Sequence, residues 1–309
     1  MILEKITIII PAYNSSQYLN DALESVVNQR LPDYEIIVVD DGSTESENKR
    51  LKEILANYDH AKLATKKNGG AASARNFGAK IATGKYLAFL DSDDIWLENK
   101  INSQLKILKN DNDVGLVVGN IVVADDKLKV KYKAYKYIPD DGQSAIRDFF
   151  QGRIVMNTPT ILLRREIFEE NGGFPEDLQY REDHYFLMMI AKSSKIVCDE
   201  KCLTVRRERA GSLSSVGDVY TELGKHTPFW IKSQQQFPFL NIEQAKKNLL
   251  IKLFIFYLRN DRKKDIEKIT SYIESVDKKY FIAFTLMSKT AWAVKFLYNF
   301  RNKIKNARL

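Results

Sequence analysis

The stretch Tyr86-Leu87-Ala88-Phe89-Leu90-Asp91-Ser92-Asp93-Asp94 decides how this chain reads. Its first five residues are apolar and rich in aromatics, the pattern of a strand in the middle of a sheet. Its last four hold three carboxylates, and a parallel sheet places its ligands at that carboxyl edge. Where the strand geometry persists to these acids, alternation puts Asp91 and Asp93 on one side. Two neighbouring hard oxygen donors suit Mg²⁺ or Mn²⁺ carrying a diphosphate. The competing reading is a solvated strand end whose Asp caps the following helix.

Upstream, residues 5–10 (Lys-Ile-Thr-Ile-Ile-Ile) read as a β-branched strand ending in the turn Pro11-Ala12-Tyr13-Asn14. Asn14, Ser15 or Ser16 is placed to cap a helix over residues 17–29, whose Leu19, Leu23, Val26 and Val27 share a face. Residues 35–39 form a second buried strand that also ends in acids, Asp40-Asp41-Gly42-Ser43-Thr44. Ser43 or Thr44 with Glu47 resembles a capping box for a helix ending near Asn57. Residues 62–65 are a weak third strand. The run Asn68-Gly69-Gly70-Ala71-Ala72-Ser73-Ala74-Arg75-Asn76-Phe77-Gly78 then opens a helix of small residues that lets backbone approach a ligand closely. The first hundred residues therefore predict βαβαβαβ, a doubly wound parallel sheet with three polar loops at one edge. The Gly-Gly loop is neither a dinucleotide fingerprint nor a Walker loop.

Four segments, Pro11-Ala12-Tyr13-Asn14, Val38-Val39-Asp40-Asp41-Gly42-Ser43-Thr44, Asn68-Gly69-Gly70…Ala74-Arg75-Asn76-Phe77-Gly78 and Phe89-Leu90-Asp91-Ser92-Asp93-Asp94, resemble in order and spacing the family 2 glycosyltransferases of the GT-A fold. The match covers the first hundred residues closely and continues more loosely to about residue 215. The resemblance implies that Pro11, Tyr13 and Asp41 hold the nucleotide base, usually uracil, with Asp40 the lesser contact. It places Asn68 and Arg75 near the nucleotide, Asp91 at the ribose with Ser92 beside it, and Asp93 on the divalent ion that bridges the diphosphate. A guanidinium at position 75 suits phosphate or base oxygens. The bland alternatives are helix capping for Asp40 and Asp41 and an exposed helix position for Arg75.

Downstream, residues 96–110 predict an amphipathic helix and residues 114–124 a buried strand broken at Gly119. Residues 129–137 alternate Lys with Tyr, Val and Ala, as a half-exposed strand does. Tyr132, Tyr135 and Tyr137 in it suit either sugar stacking or ordinary packing. Residues 143–151 read as helix, 160–163 as strand and 164–170 as a helix stopped by Asn171-Gly172-Gly173. Tyr180-Arg181-Glu182-Asp183-His184-Tyr185-Phe186 opens another helix, where carboxylates also complement the helix dipole. With Gly172-Gly173-Phe174 before it, Glu182-Asp183 resembles the family's acceptor motif. The resemblance makes Asp183 the general base that takes the acceptor hydroxyl's proton, with Glu182 and Arg181 in the acceptor site and His184 the second candidate base. The run 205–214 resembles the family's late loop, with Arg207 at its Arg position and Arg209 where relatives carry His. Arg cannot ligate a cation but pairs directly with phosphate, so this loop points to the diphosphate.

The chain has 309 residues, 44% hydrophobic, and predicts one GT-A-type α/β domain over about 1–220 (a nucleotide-binding half, 1–100, and an acceptor half, 101–220) with a helical appendage over 221–309. Charge is unevenly spread. Residues 221–309 hold 18 Lys and Arg against 7 Asp and Glu, whereas residues 1–220 hold 30 against 33. Cys198 and Cys202 offer neither a disulfide framework nor a zinc set and read as reduced thiols of a cytoplasmic protein. Met1-Ile2-Leu3-Glu4-Lys5 has no leader pattern, and no apolar run approaches a membrane span. Pro228, Trp230, Gln234-Gln235-Gln236 and Pro238 read as an irregular link, followed by helices over 242–259 and 265–276. The segment from Phe281 carries an apolar stripe and, beyond Met287, only basic charge, which suits either peripheral contact with an anionic membrane, the cytoplasmic face of an inner membrane, or a helical bundle.

These features together predict transfer of a hexose or N-acetylhexosamine from a nucleotide sugar, UDP-linked, to a glycan or lipid-linked saccharide hydroxyl with Mg²⁺ or Mn²⁺, and the resemblance implies inversion at the anomeric carbon. The rivals are a non-catalytic GT-A scaffold and a sugar nucleotidyltransferase. The latter would show a Gly-rich basic loop after the first strand, which Pro11–Asn14 is not. Nucleic-acid binding is disfavoured because no recognised module accompanies the basic region.

Overall fold

The computed structural model of the protein describes residues 4–209 and 216–276. The chain divides into two compact units, residues 1–213 and 214–309. In the first, β1 (Ile6–Ala12), α1 (Ser16–Val27), β2 (Tyr34–Asp40), α2 (Glu45–Leu55), β3 (Ala61–Thr65), α3 (Gly70–Lys80) and β4 (Tyr86–Phe89) come in strict alternation. They are followed by β5 (Ile95–Trp96), α4 (Lys100–Asn110), β6 (Val114–Ala124), β7 (Val130–Ala134), α5 (Gly142–Phe150), β8 (Leu162–Arg164), α6 (Arg165–Glu170), α7 (Glu182–Ser193) and β9 (Lys195–Arg207). One sheet runs β3-β2-β1-β4-β8-β6-β9-β5, with β7 on β6. Its first four strands are all parallel. Beyond β4 the sheet is mixed: β8 lies antiparallel to both β4 and β6, whereas β9 runs parallel to β6.

The β-branched runs explain the parallel half. Ile8, Ile10, Ile36, Val38, Ala88 and Leu90 are completely buried and pack with Leu19, Leu23 and Val26 of α1. Each such aliphatic side chain contributes roughly 1.5–3 kcal/mol on burial. On the other face α3 comes close because Gly78 is bare: a Cβ there would lie 2.6 Å from Ile9 Cγ2. That close approach brings Arg75, on the buried face of α3, down to the sheet.

Several expectations from sequence change. The strand of the opening stretch stops at Phe89, and Asp91–Asp94 form a turn closed by Asp94 N–H donating to Asp91 O at 3.0 Å. Strand alternation therefore does not set the directions of Asp91 and Asp93. Residues 96–110 are split, because Ile95–Trp96 pairs with β9 before α4 begins. Gly119 does not break β6; the irregularity falls on its partner, where β9 shifts register between Gly119 and Asn120. The capping box is half made. Thr44 Oγ1 accepts from Glu47 N–H, but the Glu47 carboxylate accepts from Ser16 N–H at 3.1 Å instead of closing the box. Tyr132, Tyr135 and Tyr137 are not packed in a core: they are 46%, 51% and 73% exposed.

The second unit contains α8 (Val219–Gln236), α9 (Ile242–Arg259) and α10 (Lys263–Val276). The expected irregular link over 228–238 is instead mostly helix. Asp218 caps α8 by accepting from Thr221 N–H at 2.9 Å, and Phe229 and Trp230 are buried in it. Pro228 sits inside it, and the residue four back, the one a proline ring crowds, is Gly224. Tyr257, Phe254, Leu253 and Ile269 form this unit's own core with Val219. No helix among the described residues is long and apolar enough to cross a membrane. The basic segment from Phe281 and the end of the late loop, Ser212 and Ser214, lie outside the described residues.

Candidate active site

The loops after β1, β2 and β3 meet at the carboxyl edge of the parallel strands. Asn14, at φ +47°, ties the first two: its N–H donates to Ser43 Oγ at 2.9 Å and its Oδ1 accepts from Thr44 N–H at 3.0 Å. Asp40 turns inward, accepting from Ser43 N–H and Asn48 Nδ2, so it serves the local backbone. Asp41 is buried and faces the next loop. It accepts from Lys66 Nζ at 2.8 Å and from the N–H groups of Gly69 and Gly70 at 3.0 and 2.7 Å. Gly42 has φ +77°, and a Cβ there would lie 2.8 Å from Asn68 N, so glycine is what lets these loops touch. Pro11 is half-buried and Tyr13 is 55% exposed.

A second constellation joins the two halves of the sheet. Arg75, 4% exposed, donates from Nη2 to Asp91 Oδ1 at 2.8 Å and from Nη1 to Glu182 Oε1 at 3.1 Å. Its Cζ lies 5.4 Å from the centre of the Phe174 ring, which packs with Phe89, Phe168 and Phe186. Its Nε is buried with no hydrogen-bond partner in the protein. Burial alone would depress the guanidinium's pKa, but Asp91, Glu182 and Asp183 outweigh it and raise it. The acids around it are pushed apart. Burial, then the charge of Asp93, raise Asp91 against the pull of Arg75. Burial, then Asp183, push Glu182 up to about 7, against the same guanidinium.

Asp183 is the ionised member. Burial would raise it, but the His184 ring and backbone, with Arg75, hold it down at about 2. Its Oδ1 accepts from His184 N–H at 2.7 Å and meets His184 Nδ1 at 2.8 Å. The other ring nitrogen lies 3.2 Å from Ile154 O. Each contact needs a proton on the ring, and a neutral imidazole has one, so the charge-assisted bond to Asp183 is the stronger claimant. His184, the second candidate base, thus serves as the group that orients Asp183. Arg181 is the N-cap of α7 at φ +63°, with its guanidinium against Gly152.

The third constellation gathers the late loop. Arg207 is buried and all three nitrogens are engaged: Nε with Asp93 O, Nη1 with Asp126 O and Nη2 with Asp21 Oδ2, at 2.7–3.0 Å. Its own N–H donates to Asp94 Oδ1 at 2.9 Å. The guanidinium expected on a diphosphate is here a strut between loops. Arg209 is the more accessible: its Nε donates to Asp93 Oδ2 at 2.5 Å, and it lies with Arg207 over the Tyr18 ring. Ser92 Oγ bonds Ser15 Oγ at 2.8 Å, fixing the acidic turn to α1. Asp94 is buried, and burial with its acidic neighbours raises it well above the usual carboxylate range.

Among the described residues no three His, Cys, Asp or Glu side chains converge as metal ligands. A small hard cation takes one or two carboxylates plus phosphate oxygens and water, so Asp93 fits Mg²⁺ or Mn²⁺ only together with a diphosphate. Lys66, Tyr18 and Asp94 belong to these constellations without having been singled out from sequence. For Lys66 the sole signal was its place just after β3 and before the Gly-Gly turn.

The family described as Glycosyl transferase family 2 matches residues 7–172. An uncharacterized glycosyltransferase of Rickettsia felis is 33% identical over 219 residues, 67% of this chain; the match spans only 34% of that protein's length. The UDP-Glc:alpha-D-GlcNAc-diphosphoundecaprenol beta-1,3-glucosyltransferase WfgD of Escherichia coli is 30% identical over 193 residues, 62% of this chain and 71% of its own. The crystal structure of S. aureus TarS 1-349 in complex with UDP-GlcNAc superposes with a TM-score of 0.55 at 18% identity, covering 96% of this chain and 91% of that one. At that identity the likeness speaks for the fold, which is of the GT-A type.

Proposed function

Because the chain belongs to glycosyl transferase family 2, we propose that it transfers a hexose or N-acetylhexosamine from a UDP-sugar to a hydroxyl of a glycan acceptor with inversion. The observation that carries the reading is Arg75, buried and bonded at once to Asp91 of the nucleotide half and Glu182 of the acceptor half. It fixes the two substrate sides against one another, which is what a direct displacement needs.

In this reading Pro11, Tyr13, Asp41 and Asn68 surround the base, and Asp41 exchanges a donor such as Lys66 for the base's own N–H. Asp91 and Ser92 face the ribose. Asp93 holds the divalent ion, which when bound supplies positive charge to the departing diphosphate. Arg209 turns from Asp93 to a phosphate oxygen, while Arg207 keeps the acidic turn in place. Glu182 and Arg181 border the acceptor. Asp183 takes the acceptor proton on Oδ2, since Oδ1 is held by His184. The bond from the acceptor oxygen to the anomeric carbon forms as the bond from that carbon to the diphosphate breaks. The acceptor class is a lipid-linked saccharide in cell-surface glycan assembly at the cytoplasmic face of a membrane. The acceptor in the name of the E. coli relative supports that class, and the basic tail from Phe281 supplies a peripheral contact.

The test is turnover of a panel of UDP- and GDP-sugars with Mg²⁺ or Mn²⁺. Asp93→Ala should abolish it. Asp183→Asn should keep UDP-sugar affinity in calorimetry and lose transfer by roughly 10²–10⁴-fold, the range of a general base. Failure of every donor to bind with either metal would reject a catalytic role.

A further inference from the structure

Asp183 is flanked by two segments that no role above uses. His184, the residue that holds Asp183, reaches Ile154 O in the loop after α5. The same loop presents Val155, 52% exposed, and Asn157, whose Oδ1 lies 3.5 Å from Lys136 Nζ. Lys136 also feels the charge of Asp183 directly. It sits between Tyr135 and Tyr137, 51% and 73% exposed, just beyond β7. Two open aromatic rings thus flank in sequence an ammonium that lies within electrostatic reach of the base.

That ammonium is sparsely bonded within the protein. Its side-chain contacts are two oxygens, Gly119 O and Asn157 Oδ1, each at 3.5 Å, the outer limit of a hydrogen bond. No carboxylate pairs with it among the described residues. Burial lowers its pKa to about 8, so it remains largely charged at neutral pH. Asp183 attracts it and Arg206, itself paired with Glu208, opposes it; Arg206 Nε is buried without a hydrogen-bond partner. Flat aromatic faces take the apolar faces of sugar rings, and an underused ammonium takes phosphate.

We propose that Tyr135, Lys136, Tyr137, Val155 and Asn157 form the acceptor subsite, and that it takes a saccharide carrying a phosphate next to the accepting ring. The tyrosines carry the ring and Lys136 carries the phosphate. This deepens the transferase reading and rests on it.

The experiment uses the full chain saturated with UDP, so that a sugar phosphate cannot occupy the donor side. The probes are N-acetylglucosamine 1-phosphate and methyl N-acetylglucosaminide, followed by saturation-transfer NMR titration. The wild type should prefer the phosphorylated probe by about tenfold or more, the range of a charge-assisted hydrogen bond. Lys136→Gln should erase that preference and leave the methyl glycoside unchanged. Tyr137→Ala should weaken both probes alike, by about 3–10-fold. UDP affinity, unchanged in both variants, shows that they are folded. Equal binding of the two probes, binding of neither, or variants that bind as the wild type does would overturn the subsite while leaving the transferase reading standing. A wild type that does not bind UDP would remove both.

Discussion

The two edges of the same parallel sheet both carry buried acids, and they treat them in opposite ways. At the amino edge Glu35 has donors of its own: Thr7 Oγ1 and Thr83 N–H at 2.7 Å, Thr83 Oγ1 at 2.8 Å and Lys62 Nζ at 3.0 Å. Burial would raise it, yet these bonds hold it at about 2. At the carboxyl edge Asp91 and Glu182 share one guanidinium, Arg75, Asp94 has the Arg207 N–H and Asp183 has His184; three of these four acids are pushed up by burial and by one another. One edge satisfies each charge separately. The other keeps charges in competition, the condition under which ligands and protons are exchanged. The largest test of this contrast is Arg75→Met. Removing the guanidinium strands Asp91 and Glu182, and breaking such a buried pair costs about 3–5 kcal/mol. Urea denaturation should show that loss together with loss of donor binding. A variant within about 1 kcal/mol of the parent would mean that the carboxyl-edge acids do not depend on Arg75.

The contrast also marks what sequence can and cannot announce. The four parallel strands were legible because each repeats one local pattern, a β-branched run and then turn residues, as in Ile-Thr-Ile-Ile-Ile before Pro11. Asp93 and Asp183 were legible as acids in motif positions. The partner of each was not. Arg207 and Arg209 are two residues apart and look alike in sequence. Yet one is saturated by Asp93 O, Asp126 O and Asp21, and the other holds the Asp93 side chain. That choice depends on where the β6–β7 turn and α1 fall in space. The directions of Asp91 and Asp93 were open for a related reason: alternation applies only where the strand persists, and it ends at Phe89 before the turn. Pro228 was read as a break by local propensity, which burial of Phe229 and Trp230 overrides.

An intermediate effect is expected at the amino edge. Glu35→Ala leaves the buried Thr7 hydroxyl and the Thr83 N–H without their acceptor, at about 1–3 kcal/mol. UDP binding should persist, because this carboxylate lies at the opposite ends of the strands from the loops that carry Asp41 and Asp91. A Glu35→Ala protein of parental thermal stability would erase the contrast from this side, and one that no longer bound UDP would show the edges to be coupled.

The smallest effect is a difference in slope, and its sign separates the edges. Glu35 is held at about 2, below its ordinary 4.5, so the folded state binds its proton less tightly than the unfolded one. Its stabilisation is complete above pH 4.5 and is lost as pH falls toward 2. Glu182 is displaced the other way, up to about 7. Its contribution is complete below pH 4.5 and is lost as pH rises through about 7. Glu182→Gln should therefore flatten the decline in stability across that upper window, by something on the order of 2 kcal/mol, and leave the acid limb alone. Glu35→Gln should do the reverse. Tm measured from pH 3 to pH 8 on the parent and both variants decides the matter. If Glu182→Gln altered only the acid limb, Glu182 would be an ordinary paired carboxylate, and the crowding that distinguishes the carboxyl edge would have no titrating consequence.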